Sequence, residues 1–232
     1  AGPAGLAAAR AAAVDGLKVV VVDENTEPGG TLLSEPQARI DGHPAWDWLA
    51  DELKVLKELG VRLMTRTTAI AYYHQNMLGL CERVTDHLDA VPNDTPRERL
   101  WRGAGGRVHP AARGPERNEG RTRNEAPGAV GAGSAQTYLN RYGVRVGDRP
   151  VVITSHDSAW YAAFDLQGAG AHVQAIIDTR AAVREDLANA ARELGIAVKL
   201  SHTATATSGR LRVRSIRVNP ASGGRAGPRP EA

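Results

Sequence analysis

The sequence predicts an α/β fold assembled from two βαβ units, on three observations. Runs of strand length alternate with helical patterns along most of the 232 residues. A glycine-rich turn opens the chain and leads into an alanine-rich helix and a valine strand ending in acid. A second βαβαβ pattern follows from residue 134 onward.

Ala1-Gly2-Pro3-Ala4-Gly5-Leu6 matches the end of a G-x-G-x-x-G turn, with its first glycine falling just before Ala1. Small residues from Ala7 to Ala13 suit a helix lying close to a sheet, and Gly16 is placed to end it. Lys18 to Glu24 reads as a strand buried on both faces, as in a parallel sheet. In such a unit Gly2 lets the backbone approach a pyrophosphate, and Gly5 lets helix and strand pack closely. Free N–H groups at the helix start face the phosphate charge. Asp23 and the adjacent Glu24 stand where a carboxylate accepts hydrogen bonds from ribose hydroxyls. An acid there disfavours a 2′-phosphate, so NAD or FAD is expected rather than NADP. Gly29-Gly30-Thr31-Leu32 follows, and reads either as a second backbone approach to the pyrophosphate or as an ordinary turn.

Trp46, Leu49, Leu53 and Leu56 mark a helix ending near Gly60, with both Trp46 and Trp48 expected as packing residues. Val61 to Met64 is a short strand. Thr68 to Tyr73 and Met77 to Val84 form a hairpin around the polar turn His74-Gln75-Asn76. Ala69, at the start of that hairpin, is a candidate adenine contact through its backbone. His74 and His87 lack further ligands at metal spacing, and Cys81 reads as a small buried residue.

Residues 103–123 break the pattern, being rich in Gly, Arg, Pro and Glu. The readings are a solvated linker, an RNA contact that lacks stacking aromatics, or a corrupted stretch where a buried strand belongs. Beyond it, Ser134 to Tyr142 is a helix, Pro150 to Thr154 a strand, Ser158 to Leu166 a helix, and His172 to Ile177 a strand ending at Asp178. Arg184 to Leu194 is a helix and Ala197 to Leu200 a strand. Thr203 to Thr207 and Leu211 to Val218 form a hairpin around Ser208-Gly209-Arg210. The turn Ser155-His156-Asp157-Ser158 carries no glycine, and Asp157 would repel a phosphate. The second unit is therefore a dinucleotide fold without a nicotinamide site. His156, Asp157 and Ser158 have the residue types of a hydrolase triad, but sequence neighbours do not make its spatial geometry.

Composition bounds the function. The chain is 42% hydrophobic and 24% charged, with a formal charge of +3 and a pI near 9.2, too mild to indicate nucleic acid. One cysteine excludes an internal disulfide and fits a cytoplasmic compartment. No apolar run approaches the roughly 20 residues of a membrane span. The expected domains are 1–133, a first dinucleotide-binding domain; 134–218, a second Rossmann-like unit; and 219–232, a flexible tail. The glycine turn without a preceding strand and the Gly/Pro/Arg-rich tail read as a piece of a longer chain, incomplete at both ends.

Several strings resemble the α subunit of heterotetrameric sarcosine oxidase. They are the opening Ala1 to Leu6, Val21-Val22-Asp23-Glu24, Gly29 to Glu35 and Ile40-Asp41-Gly42, then Tyr72 to Asn76, Arg99-Leu100-Trp101 and His156 to Ala159. Most specific are Glu82-Arg83-Val84-Thr85-Asp86-His87-Leu88 and Thr137-Tyr138-Leu139-Asn140-Arg141-Tyr142-Gly143. The resemblance implies a two-dinucleotide-binding fold of the FAD/NAD(P)-binding, pyridine nucleotide-disulfide oxidoreductase-like kind. It implies a complex that oxidises the N-methyl group of sarcosine to glycine, formaldehyde and hydrogen peroxide, with tetrahydrofolate capturing the one-carbon unit. FAD and FMN would serve the full complex, with NAD in the α subunit contacting Ala4, Asp23, Glu24, Thr31 and, roughly, Ala69. Asn25 stands where that family can carry a basic residue. No catalytic acid, base or nucleophile and no metal ligand is expected in this stretch. The expected partners are a dinucleotide and the other subunits of a hetero-oligomeric oxidase. The alternatives are the α subunit of an opine or other amino-acid dehydrogenase, and a non-catalytic nucleotide-binding assembly module. Between Trp101 and Ser134 the family has a strand and an A-T-G-A-x-E-R-P turn, and here Ala111 to Arg117 fills that place. Kept spacing with lost hydrophobicity is the pattern left by a compensated pair of frameshifts.

Overall fold

The opening turn runs directly into helix α1, Pro3–Val14, with Gly2 at the N-cap. Proline suits the first helical position because its missing N–H has no intrahelical partner there. In the computed structural model, residues 1–111 and 127–221 are described. The chain divides into two units, Ala1–Gly114 and Pro115–Ala232.

In the first unit α1 leads to strand β1, Val20–Val22, then a 3₁₀ turn, Gly30–Ser34. Two-residue strands β2, Arg39–Ile40, and β3, His43–Pro44, form a small hairpin before helix α2, Ala45–Glu58. Strand β4, Arg62–Met64, pairs in parallel with β1, Val21 opposite Leu63. Among the described residues β4 is the only strand on β1. Val20 is 55% exposed, so the strand is not buried on both faces as its valines suggest. Leu6 and Ala9 of α1 pack against Leu49 and Leu56 of α2 and Leu32 of the 3₁₀ turn. Leu6 is fully buried, a burial worth about 1.5–3 kcal/mol.

Three antiparallel strands complete the unit: β5, Thr67–Tyr73; β6, Met77–Arg83; and β7, Glu98–Ala104. The expected hairpin is present, with His74–Asn76 as its turn. The strand β7 lies partly inside the stretch from 103 that was expected to be irregular. Trp101 on β7 donates its indole N–H to Glu82 Oε2 at 2.8 Å. The Arg62 and Arg99 guanidiniums lie 4.7 and 5.6 Å from its ring centroid, within cation–π range. Cys81 is half-buried rather than buried. Residues 112–123, the core of the anomalous stretch, lie outside the described residues, as does most of the expected tail.

The second unit runs α3, Ala132–Tyr142; β8, Val151–Thr154; α4, Ser158–Gly168; β9, Ala175–Asp178; α5, Glu185–Glu193; and β10, Val198–Lys199. The strands form a parallel sheet in the order β10-β9-β8, with Ile153 opposite Ile177 and Lys199 opposite Ile177 on the other side. Its core gathers Trp160, Ala163, Leu166, Ile176, Leu187 and Ile196. Hairpin β11, His202–Ser208, and β12, Ser215–Pro220, follows. Its turn is longer than expected: Leu211 is 84% exposed and lies in the loop, because the apolar alternation begins only at Ile216.

Candidate nucleotide-binding site

The two glycine turns of the first unit meet. Gly29 N–H donates to Ala1 O at 2.8 Å. Gly30 has φ +57°, and a Cβ there would stand 2.9 Å from Gly2 Cα. A side chain at 30 is thus refused twice, by the left-handed backbone and by the neighbouring main chain. A Cβ on Gly2 would meet nothing within 4 Å, so this face of the turn is open. The first intrahelical bond of α1 is Leu6 N–H to Gly2 O. The N–H groups of Gly2, Ala4 and Gly5 precede it and have no place in the helical ladder. A cradle of backbone donors at a helix start, with two glycine turns in contact, fits an anionic phosphate group.

Gly5 closely approaches a different neighbour from the one expected. A Cβ there would come within 3.1 Å of Ala111 Cβ, so the close packing is against the segment following β7.

Asp23 ends the strand beside this cradle and is 7% exposed. Its backbone is fixed on both sides: its N–H donates to Met64 O and its carbonyl accepts from Thr67 N–H. Its Oδ1 accepts from Asn25 N–H at 2.8 Å and Asn25 Nδ2 at 3.0 Å, while Oδ2 accepts from the Ala1 nitrogen at 2.6 Å. Burial raises the Asp23 carboxyl and the two Asn25 donors lower it. Three of about four acceptor positions are taken, leaving one on Oδ2. Glu24 is exposed at the same strand end, and its carbonyl is held by the Arg83 guanidinium.

Thr31 lies in the 3₁₀ turn, where its carbonyl accepts from Ser34 Oγ at 3.1 Å. Ala69 is exposed on β5, two residues beyond Thr67 and opposite Leu80. The structure thus brings Gly2, Gly30 and Asp23 to one place through Ala1, with Ala4 and Gly5 on the adjoining helix start. Ala69 lies on β5, whose first residue, Thr67, donates its N–H to the Asp23 carbonyl.

Two residues near the site escape the sequence reading. Trp46, expected to pack, is 52% exposed, and its indole N–H donates to Leu32 O in the glycine-led 3₁₀ turn at 2.9 Å. It sits in the first turn of α2, off the buried stripe Ala45, Leu49, Glu52, Leu56. Arg83 belongs to a string quoted for its resemblance, yet nothing in the sequence marks it as a partner of Glu24. Among the described residues no group of three His, Cys, Asp or Glu side chains is arranged to hold a metal ion. No described helix is long and apolar enough to cross a membrane.

The fold is the FAD/NAD(P)-binding α/β fold. The family model for FAD dependent oxidoreductases matches residues 1–95. The L-proline dehydrogenase of P. horikoshii superimposes with a TM-score of 0.61 at 15% identity, over 94% of this chain and 38% of that one. The thioredoxin reductase of T. acidophilum gives 0.60 at 14% identity, over 97% and 70%. In particular, the chain is similar to sarcosine oxidase subunit alpha, as the quoted strings imply. It is 41% identical to that of Rhizobium meliloti over 193 residues, 83% of this chain and 20% of the relative. It is 38% identical to that of Corynebacterium sp. (strain P-1), over 86% and 20%. The chain spans about one fifth of the length of these curated relatives.

Proposed function

We propose that this chain is the nucleotide-binding portion of the α subunit of a multi-subunit sarcosine oxidase, and that its first unit holds NAD. The observation that carries the reading is the contact of the Gly2 and Gly30 turns beside Asp23, in a chain 41% identical to a sarcosine oxidase α subunit. The amides of Ala4 and Gly5 would face the pyrophosphate, with Gly2 and Gly30 letting the backbone approach. Asp23 and Glu24 would take the ribose hydroxyls, with Thr31 and Ala69 flanking the nucleotide. FAD makes the same demands of a phosphate cradle and a ribose acceptor, and is the competing occupant.

The complex would convert sarcosine, O₂ and water to glycine, formaldehyde and hydrogen peroxide, passing the one-carbon unit to tetrahydrofolate when that is present. FAD and FMN would be carried by the complete assembly. This chain contributes cofactor binding and subunit assembly, in a cytoplasmic enzyme whose single cysteine suits a reducing compartment.

The test is the purified complete complex, assayed for peroxide and substrate loss with sarcosine and, separately, with opines. Turnover of sarcosine with peroxide formation is expected. Turnover of opines alone would transfer the chain to an opine dehydrogenase, and turnover of neither would leave a nucleotide-binding assembly module.

A further inference from the structure

In both units a parallel strand, β1 in the first and β9 in the second, leads to an aspartate followed two residues later by a side chain that folds back on it. In the first unit Asn25 gives Asp23 Oδ1 its N–H at 2.8 Å and its amide at 3.0 Å. In the second, Arg180 gives Asp178 Oδ1 its N–H at 2.9 Å and its Nε at 3.1 Å. The local turn is the same, and the residue at its third position differs.

That difference decides what each acid has left to offer. Arg180 is long enough to reach Asp178 Oδ2 as well, through Nη2 at 2.8 Å. Trp160 Nε1 donates to the same oxygen at 2.9 Å. Asp178 therefore accepts four hydrogen bonds, the capacity of a carboxylate, and is 0% exposed. It has nothing to give a ribose hydroxyl.

The phosphate end of the crevice is filled in the same way. Arg180 Nη1 crosses to Asp157 Oδ1 at 2.6 Å, at the N-cap of α4. That carboxylate makes no cap bond to its own helix and stands where a phosphate would need to sit. His156 N–H, a donor of this turn, is spent on Thr154 Oγ1 at 2.9 Å, and that hydroxyl donates to His156 O at 2.9 Å. The backbone closes the edge: Thr179 N–H bonds Thr154 O at 3.0 Å, and Ser201 N–H bonds Arg180 O at 2.9 Å. Arg180 thus spans the carboxyl ends of all three parallel strands, which is where an open α/β sheet takes its ligand.

We infer that Arg180 closes the second unit: it latches the crevice shut between Asp178 and Asp157, and the chain takes a single dinucleotide. The protein supplies its own anion and its own cation in the place of a ligand. Hydrogen bonds to Asp178 and Asp157 push the Arg180 guanidinium up, so the latch is charged at every working pH. The chain then has no seat for a second, hydride-delivering nucleotide, and reducing equivalents for anything bound in the first unit must come from elsewhere in the assembly. The count of one rests on the proposed site in the first unit; the closure of the second does not.

The test is calorimetric titration of the intact chain with NAD and with FAD, for the parent and for Asp23→Ala, Arg180→Ala and Asp157→Ala. One nucleotide per chain is expected, weakened more than tenfold by Asp23→Ala and changed less than twofold by Asp157→Ala or Arg180→Ala. Asp157→Ala leaves Asp178 paired, so it carries the test if Arg180→Ala fails to fold. Two nucleotides per parent chain would overturn the inference, whereas a second one gained only by a latch variant would bear it out. So would a single site that survives Asp23→Ala and weakens with either latch variant. Absence of binding by parent and latch variants alike would remove the first-unit site and leave the closed second unit standing.

Discussion

Gly30 rests against Gly2 so closely that a Cβ at 30 would stand 2.9 Å from Gly2 Cα. Two turns about 30 residues apart in sequence thereby act as one backbone surface. Gly30→Ala is expected to cost about 1–2 kcal/mol from the left-handed backbone alone, before the clash is relieved. Urea unfolding of the variant measures this, and NAD affinity is expected to fall with it. Unchanged stability would mean that the turns can part without penalty.

Trp46 holds the same turn from the other side through Leu32 O. Since the ring is half exposed, its removal is expected to act on the turn more than on the core. Trp46→Phe keeps an aromatic ring and deletes the donor. It is expected to lose about 0.5–1.5 kcal/mol of stability, the net worth of one hydrogen bond. Nucleotide affinity should fall severalfold, measured by titration beside an unfolding curve. A variant that loses stability with full affinity would confine Trp46 to packing.

Arg10 reaches from α1 to Glu52 of α2 at 3.0 Å, and Glu52 is buried with no partner for Oε1 among the described residues. Arg10→Ala strands that carboxylate, and about 1–3 kcal/mol of stability is expected to go with it. The double variant Arg10→Met with Glu52→Leu is expected to recover most of the loss, since an apolar pair needs no partners. Thermal unfolding of the three proteins is the measurement. A double variant no better than Arg10→Ala would show that the pair contributes more than its own satisfaction.

Burial pushes Asp178 up, but the hydrogen bonds from Arg180 and Trp160, with the Arg180 charge, hold it below the ordinary carboxylate range. A carboxyl depressed on folding gives stability that is fully present above its unfolded value, about 3.9. That stability drains away as pH falls through the lower folded value. The second unit is therefore expected to lose stability steeply below about pH 4. Asp178→Asn should be less stable at neutral pH, with a flatter acid limb. Chemical unfolding at a series of pH values from 7 to 2 follows both, and parallel acid limbs would contradict the linkage.

The order of helices and strands is legible from periodicity and turns, since helical steps such as Leu49, Leu53, Leu56 and strand runs such as Val151 to Thr154 are local signals. The glycine turns and Asp23 are legible for the same reason: each is a short motif with a fixed mechanical need. What escapes is set by distant neighbours. Glu52 lies on the apolar stripe of α2 because Arg10, 42 residues away, reaches it. Trp46 is exposed because the turn it serves needs only its N–H. Val20 is exposed on a strand that pairs only with β4 among the described residues, and a valine run does not report how many strands flank it. Arg180 looks like a surface cation until Asp178, Trp160 and Asp157 are seen around it.

The proposed site stands or falls on a dinucleotide in the first unit. Calorimetric titration of the intact chain with NAD, parent and Asp23→Ala side by side, measures it. The parent is expected to bind one NAD. The variant should bind about 10–150 times more weakly, because a hydrogen bond to a charged acceptor is worth about 1.5–3 kcal/mol. Equal affinity in the two proteins would remove Asp23 from the site, and a parent that binds no NAD or FAD would contradict the account at its centre.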